Sequence, residues 1–391
     1  MDSFLEYDSI HDDFGPINFV STANFARALN KLTQSNEAEN RQDIVCFVGP
    51  GPRAFTNAAF LVGAYMILFL EYKAEDVSKC FEIFDRDFFE DYRDASYSSS
   101  EFTISLLNCW RGLEHAKDEG WVSSPSSKSP YRWGMIDAEA YDHYDNPLHA
   151  DLHEVVPGKL IIFRGPKDLG GLTYKDNLRD GAFISRDFSP EYCADLLKDL
   201  GVSTIVRLNR PQYNAAVFVS RGFDHMDLDF EGGSTAPPGA AARFFRAVDG
   251  ARGRVAIHGR ESLGRAGTLA ALHLMRSHGF GAREAMAWLR VMRPGAVLGE
   301  QQHCLAHVER SYKLFLGFAG QCKLSTPEHV GAAAIHCGQR RLTRPFSLAQ
   351  RPDSDFGGPG GGGGGGGSPL VRGQVLAQSL SAMQRRWSGL P

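Results

Sequence analysis

Short apolar runs alternate with amphipathic stretches along most of the chain. The apolar runs predict strands at 44–48, 155–163, 204–208, 225–228 and 255–258. Apolar positions at helical spacing predict helices at 57–70, 74–84, 102–113, 137–145, 190–200, 240–249, 267–278, 282–292 and about 301–318. Strands that alternate with helices indicate an α/β fold with a mainly parallel sheet covered on both faces.

The same pattern divides the chain into two domains, a linker and a tail. Residues 7–130 and 155–323 each contain a strand, a glycine loop and a helix in succession, and an acidic helix links them within 131–154. The loop of the first unit carries two prolines and no nucleophile, which predicts a non-catalytic domain. Residues 324–391 are rich in Arg and Gly, with glycines at 360–367, and predict a flexible tail without a core.

Composition narrows the class of protein. The 391 residues carry a net charge of −4, which favours neither nucleic acid nor an anionic membrane surface as a partner. The first six residues are acidic and apolar, unlike a signal peptide, and the apolar run 58–70 is too short to span a bilayer. The seven cysteines include no CxxC pair, which suits a reducing compartment. We therefore expect a cytoplasmic or nuclear protein.

The stretch 255–268 carries the main candidate chemistry. A buried strand ends at His258, a short loop follows, and a helix starts near Arg265. Backbone N–H groups and the positive end of the helix dipole converge in such a loop, and an arginine adds a two-pronged grip on phosphate. The predicted phosphate-binding residues are Arg260, Glu261, Ser262, Leu263, Gly264 and Arg265.

This layout is that of the loop of cysteine-dependent phosphatases, which reads His-Cys, five residues, then Arg. The cysteine position is Gly259 here. In such a loop a thiolate attacks phosphorus and forms a phosphocysteine, which glycine cannot do. Losing a covalent nucleophile costs a factor on the order of 10⁶ in turnover, although the loop could still bind phosphate. The alternative is a plain turn whose glycines serve only the backbone.

Other strings extend the resemblance beyond one loop. They are the segments 57–65, 93–96, 156–159, 204–209, 233–235, 263–268, 293–295 and 301–303. With them, residues from about 7 to about 320 resemble the mitotic-exit dual-specificity protein phosphatases, the cell-division-cycle-fourteen family. The resemblance implies two tandem protein-tyrosine-phosphatase-like domains, each with a central mainly parallel sheet flanked by helices, joined by a linker helix.

The family's first domain has lost its site, and its second removes phosphate from serine followed by proline. A partly acidic cleft between the domains favours a basic residue downstream of that serine. Glu139, Asp142 and Asp145 of the acidic helix fall where this cleft would be, so the resemblance makes them candidate docking residues. The alternative for this helix is an ordinary solvated face.

The departures from the family pattern lie in the site itself. Gly259 replaces the nucleophile, and Gly232 stands where the family has the aspartate that protonates the leaving oxygen. Glu231 is adjacent, but neighbouring side chains point in different directions, so we do not expect it to substitute. Ser262 replaces a glycine, and Glu261 brings a carboxylate near the anion unless it faces outward.

Two further candidates have simpler interpretations. Cys304, beside the matching string 301–303, is expected to be a packed core residue rather than a relocated nucleophile. His149 and His153 have a spacing that could chelate a metal, but without a third ligand they are interpreted as surface histidines. We expect neither a metal nor a cofactor.

The sequence thus predicts a pseudophosphatase that binds phosphorylated proteins without hydrolysing them. One alternative is residual phosphatase activity through Glu231 and a water held by the loop. Another is a structural partner of an active phosphatase relative.

Overall fold

The computed structural model describes most of the chain as far as the last predicted helix. The described residues are 7, 9, 10, 12–39, 44, 46–95, 102–231, 236–260 and 262–318. Three predicted features lie outside them: Gly232 with the string 233–235, Glu261, and the tail 324–391.

The N-terminal region is built from helices. They are α1 (Phe19–Glu39), α2 (Pro52–Phe69), α3 (Ala74–Phe81) and α4 (Leu106–Asp118), with a 3₁₀ helix at Arg86–Phe88. Helix α4 begins with a reciprocal cap, in which the Ser105 hydroxyl accepts from the Asn108 amide and the Asn108 side chain accepts from the Ser105 amide. The helices predicted at 57–70, 74–84 and 102–113 are therefore confirmed, with shifted ends.

The strand predicted at 44–48 is wrong for its described residues. These are irregular, and the side chain of Phe47 is 77% exposed. Among the described residues before 132, sheet pairing is limited to the isolated bridges Phe14–Arg93, Tyr92–Ile104 and Ser126–Ser129. The mainly parallel sheet predicted for the first domain is thus not seen among its described residues, because an apolar run becomes a strand only where a neighbour pairs with its backbone groups.

Helix α2 forms the core of this region. It contains the apolar run that the sequence suggested was too short to span a bilayer, but the helix has 18 residues. By length and composition it is the one described helix that could cross a membrane, and 72% of it is buried inside the protein. Such burial is typical of a core helix. Gly63 permits the close packing, since a Cβ there would lie 2.2 Å from Nε1 of Trp110.

The second region contains a five-stranded mixed sheet. Its strands are β3 (Leu152–Val156), β4 (Leu160–Arg164), β7 (Val202–Arg207), β8 (Asp224–Asp227) and β9 (Arg254–Gly259), in the order β3-β4-β9-β7-β8. All neighbours are parallel except β3 with β4. The predicted α/β class is confirmed, and the carboxyl ends of β4, β7 and β9 meet at one edge of the sheet.

Two hairpins and a set of helices surround this sheet. The hairpins are β1 (Arg132–Trp133) with β2 (Ile136–Asp137), and β5 (Tyr174–Arg179) with β6 (Ala182–Phe188). The helices are α5 (Ala138–Asp145), α6 (Pro190–Asp199), α7 (Ala216–Val219), α8 (Pro238–Gly250), α9 (Gly264–His278), α10 (Ala282–Met292) and α11 (Glu300–Phe318). The helices predicted in this region are confirmed, whereas the sequence did not predict the hairpin β5–β6.

The two regions share one hydrophobic core. Helix α4 packs on α10 so closely that a Cβ on Gly112 would lie 2.8 Å from the carbonyl oxygen of Glu284. Trp121 and Phe280 stack beside this contact, with ring centroids 5.8 Å apart. The domain boundaries given above remain predictions, because a single cluster of buried residues runs through both regions.

Candidate functional site

The site lies where β9, the central strand, leads through a short loop into α9. His258 and Gly259 at the end of β9 are buried, and the Leu208 amide donates to the carbonyl oxygen of His258. Helix α9 then begins at Gly264 without a side-chain cap. Its first amides are therefore donors that no cap occupies. We call residues 259, 260 and 262–265 the cradle.

Gly259 leaves room for a side chain directed at the cradle's donors. An ideal Cβ on this residue would lie 3.8 Å from both Nε and Nη2 of Arg265 and 3.9 Å from the amide nitrogen of Ser262. No described atom would come closer than these ordinary van der Waals distances. A guanidinium edge and a backbone amide thus converge on the point where the phosphatase loop has its nucleophile.

Arg265 is held by its remaining nitrogen. Nη1 donates to the Phe230 carbonyl oxygen at 2.6 Å and lies 3.5 Å from Oδ1 of Asp229. Burial lowers the pKa of the guanidinium and Asp229 partly offsets this effect, but an arginine stays charged at neutral pH. These contacts orient Nε and Nη2 towards Gly259, in the fork that matches two phosphate oxygens.

Ser262 gives the cradle a feature of its own. Its φ of 57° is left-handed, which explains why the family has glycine here, and the residue is 4% exposed. The hydroxyl accepts a hydrogen bond of 2.8 Å from the Gly259 amide. The substitution therefore keeps the loop shape that glycine would allow and ties the two ends of the loop's first turn together.

The segment 293–301 supports the cradle from outside. The Val297 amide donates to the Leu263 carbonyl oxygen at 3.1 Å, and Nε of Arg293 donates to that of Ser262 at 3.3 Å. A Cβ on Gly264 would lie 2.7 Å from Oε1 of Gln301, so the Gln301 side chain packs closely against the start of α9. The strings 293–295 and 301–303 thus contribute contacts to the loop.

His258 belongs to a buried hydrogen-bonded chain. Its Nε2 lies 2.7 Å from the Tyr213 hydroxyl, which lies 2.9 Å from Nε2 of His225. Burial lowers the pKa of His258 to about 3, so the ring is neutral at physiological pH. His258 therefore fixes the strand end and adds no charge to the cradle.

The acidic helix α5 is only partly available for docking. Glu139 and Asp142 are exposed and lie three residues apart on one face. Asp145 instead accepts a 2.6 Å hydrogen bond from Nε2 of His153. Burial raises the pKa of Asp145, but the bond from His153 and the charge of Arg293 outweigh it and keep this pKa below its usual value.

The structure also gives the burial of the remaining candidate residues. Arg260 is exposed and Leu263 half-buried in the cradle loop, and Glu231 is exposed just before the undescribed residues 232–235. Cys304 is 4% exposed in the core, which confirms its interpretation. His153 is buried rather than at the surface, and within the described part of the chain no three metal-ligating side chains converge.

Sequence reasoning missed Asp229 and Tyr213 as residues around the site, and it gave Arg293 only as part of the matching string 293–295. Asp229 had a local signal, since it stands in the acidic run 227–231 that leads to the general-acid position. The contacts of Tyr213 and Arg293 join residues 45 and 31 positions apart, and no pattern in the sequence links them.

Comparison with known proteins finds similarity to dual specificity protein phosphatases. Residues 1–116 match the family model of the N-terminal half of dual specificity protein phosphatases. The chain is 34% identical over 311 residues to the human dual specificity protein phosphatase CDC14C, covering 80% of this chain and 65% of that protein. It is 33% identical to mouse CDC14B, covering 80% and 60%, and 30% identical to the tyrosine-protein phosphatase CDC14 of Saccharomyces cerevisiae, covering 76% and 52%. The chain thus spans about half to two thirds of the length of these relatives.

Solved structures give a weaker likeness. Kinase associated phosphatase with its catalytic-site cysteine substituted by serine matches with a TM-score of 0.33 and 17% identity, covering 42% of this chain and 94% of that one. Tk-PTP in the active form matches with a TM-score of 0.31 and 21% identity, covering 39% and 92%. At these TM-scores the likeness carries no argument, and the fold is described from the strands and helices of the chain itself.

Proposed function

We propose that this chain is a pseudophosphatase of the cell-cycle CDC14 family of dual-specificity protein phosphatases, the relatives to which it is 30–34% identical. It binds phosphorylated proteins without hydrolysing them. A cytoplasmic or nuclear location is part of this proposal.

The observation that carries the proposal is the geometry at Gly259. The donors that would surround a phosphate are in place, with Nε and Nη2 of Arg265 both 3.8 Å from the Cβ position, but the residue has no side chain. A glycine cannot attack phosphorus, so the covalent route is closed while the binding groups remain. Binding without turnover is the function that this combination supports best.

The general-acid position supports the same conclusion from the sequence. It is occupied by Gly232, which cannot donate a proton to a leaving serine oxygen. One described carboxylate beside the cradle is that of Asp229, which lies 3.5 Å from Nη1 of Arg265. This carboxylate is engaged by Arg265, so we do not propose it as a replacement general acid.

The proposed partner class rests on the charges of the cradle and of helix α5. The exposed carboxylates Glu139 and Asp142 on α5 favour a ligand with a basic residue, and the cradle favours a phosphate group. We therefore propose phosphoserine followed by proline with a basic residue downstream as the preferred ligand. Asp145 contributes less to docking, since its carboxylate is engaged by His153.

The test compares the wild-type protein with the double variant Gly259→Cys, Gly232→Asp. Binding of a phosphoserine-proline peptide with a downstream lysine is measured by fluorescence anisotropy, and hydrolysis by phosphate release. We expect the wild type to bind and not to hydrolyse. We expect the double variant to release phosphate, because the Cβ position at 259 is sterically open and faces the arginine.

Each other outcome favours a different function. Turnover by the wild type that is lost in Glu231→Gln would show a residual phosphatase. Failure of the wild type to bind phosphopeptide, together with co-purification with an active family member, would show a structural partner. The unphosphorylated peptide is the control for binding to the acidic helix alone.

A further inference from the structure

Arg293 is a buried charge that phosphate binding does not use directly. It follows α10 and is 2% exposed. Its Nη1 lies 2.8 Å from Oδ1 of Asp151 and 2.7 Å from Nδ1 of His153, while its Nε donates to the Ser262 carbonyl oxygen. Burying a guanidinium is costly unless every side of it is bonded, so these contacts define one position for the side chain.

The turn 293–297 holds two successive carbonyl groups of the cradle loop. Arg293 binds the carbonyl oxygen of Ser262, and the Val297 amide binds that of Leu263. A trans peptide is planar, so each N–H points opposite to its C=O. With both carbonyls drawn towards the turn, the amides of Leu263 and Gly264 point to the other, concave side of the loop. The Ser262 amide and the Arg265 fork also lie there, near Gly259. Converging amides of this kind form an anion-binding nest.

We propose that Arg293 is a positioning residue of the cradle, which orients the loop amides by anchoring the Ser262 carbonyl group. The inference deepens the proposed phosphate binding and rests on it for its biological role. The anchoring itself is a property of the loop that can be measured without any phosphorylated ligand.

A hydrogen-bonded chain fixes Arg293 in turn. A guanidinium can only donate, so Nδ1 of His153 accepts from it, and the proton of the neutral ring sits on Nε2. That N–H donates to Asp145 at the end of α5. The chain from Asp145 through His153 and Arg293 to Ser262 therefore connects the linker helix with the cradle. The cradle's shape depends on the end of the helix whose exposed face carries Glu139 and Asp142.

The test uses Gly259→Cys as a reporter. A thiol at this position faces the loop amides and Arg265, so we expect its pKa to fall below about 7.5, as for cysteines at helix N-termini. The pKa is measured from the pH dependence of alkylation by iodoacetamide. Adding Arg293→Met or Arg293→Lys should raise it by about one unit or more, because the amides lose their fixed direction.

Arg293→Lys separates positioning from charge. Lysine keeps the positive charge but cannot reach Ser262, Asp151 and His153 together with one ammonium group. A thiol pKa that stays low in Arg293→Lys would overturn the proposal, since charge alone would then suffice. If Arg293→Met does not fold, as judged by circular dichroism, the result with Arg293→Lys decides.

Arg254→Met is the matched control. Arg254 lies at the opposite end of β9, where it pairs with Glu154 at 2.6 Å and donates to the Leu200 carbonyl oxygen. Its loss removes a comparable set of contacts far from the loop, so the thiol pKa should not change. An equal rise in both variants would mean that general destabilisation, not anchoring, is measured, and would overturn the proposal.

The outcomes also separate this inference from the proposed function. If the wild type fails to bind phosphopeptide while Arg293→Lys still raises the thiol pKa, the function is wrong and the positioning stands. If the wild type binds phosphopeptide and both Arg293 variants leave the thiol pKa and the affinity unchanged, the positioning is wrong and the function stands.

Discussion

The loop before α2 and the cradle before α9 both carry glycines and lead onto a helix N-terminus, but only the cradle resembles an anion site. The first, Gly49–Pro52, precedes α2, and the second, the cradle, precedes α9. Pro50 and Pro52 have no N–H, so the first loop lacks two of the donors that a phosphate would need. A helix dipole without converging donors is a weak attraction for an anion.

The residues around the two loops also differ in charge. A cavity of about 170 Å³ at the start of α2 is lined by Asp85 and Asp87 together with the apolar side chains of Val48, Phe55 and Phe88. Carboxylates at a helix N-terminus satisfy the dipole and repel a phosphate. The arginine next to this loop, Arg53 at the start of α2, pairs with Glu90 at 2.9 Å. The first loop is thus already neutralised, whereas the Arg265 fork faces an open position.

The largest contrast should appear in phosphopeptide affinity when Arg265 and Arg53 are replaced in turn. Arg265→Met removes a two-pronged charged contact and should weaken phosphoserine-proline peptide binding by about 100-fold, since hydrogen bonds to charged groups contribute about 1.5–3 kcal/mol. Arg53→Met should change the affinity less than about twofold. Fluorescence anisotropy at fixed ionic strength measures both. Equal losses would mean that the peptide binds by general charge attraction and not in the cradle.

The second contrast compares Gly63, in the core helix α2, with Gly259, in the cradle. In Gly63→Ala, the new methyl group would lie 2.2 Å from Trp110 and 2.8 Å from Val77, both buried. Overpacking of this kind costs about 1–3 kcal/mol. In Gly259→Ala no described neighbour is closer than 3.8 Å, so the cost should stay below about 1 kcal/mol.

Urea unfolding followed by circular dichroism gives both free energies of unfolding. Gly63→Ala should lower the midpoint clearly, and Gly259→Ala should leave it nearly unchanged. A large loss in Gly259→Ala would contradict the open position on which Gly259→Cys depends.

These contrasts explain what the sequence could and could not predict. Helical spacing and short buried runs are local, so α6, α8, α9 and strands β7 and β9 were predicted from them. The cradle was predicted because its residues are contiguous. The apolar run 44–48 carries the same local signal as a buried strand, but no pairing neighbour is seen for the residues of this run that the structure describes.

The contacts that hold the site in place could not be predicted from local sequence patterns. The Arg265 contact with Phe230 and the Arg293 contact with Ser262 each join residues more than 30 positions apart. The hairpin β5–β6 was missed because its residues are mostly exposed and do not alternate apolar with polar side chains. Long-range contacts of this kind depend on the register of the whole sheet.

The smallest contrast separates two residues with positive φ just before α2 and α9. Gly51 has φ of 95° and nothing within 4 Å of its Cβ position, so Gly51→Ala meets only backbone strain, about 1–3 kcal/mol. Ser262 already has positive φ and offsets it with the hydroxyl bond to the Gly259 amide. Ser262→Ala keeps the strain and leaves a buried amide unpaired, a loss of about 1–2 kcal/mol.

Ser262→Gly loses the same hydrogen bond but also removes the strain, so its net effect on the free energy of unfolding should stay within about 1 kcal/mol of zero. Urea unfolding of the three variants should therefore rank Ser262→Gly as the mildest. If Ser262→Gly and Ser262→Ala were equally destabilising, the serine hydroxyl alone would hold the loop and its backbone conformation would cost nothing. If Ser262→Ala were neutral, the hydroxyl bond would contribute nothing, and the cradle would keep its shape through its backbone and the turn 293–297 alone.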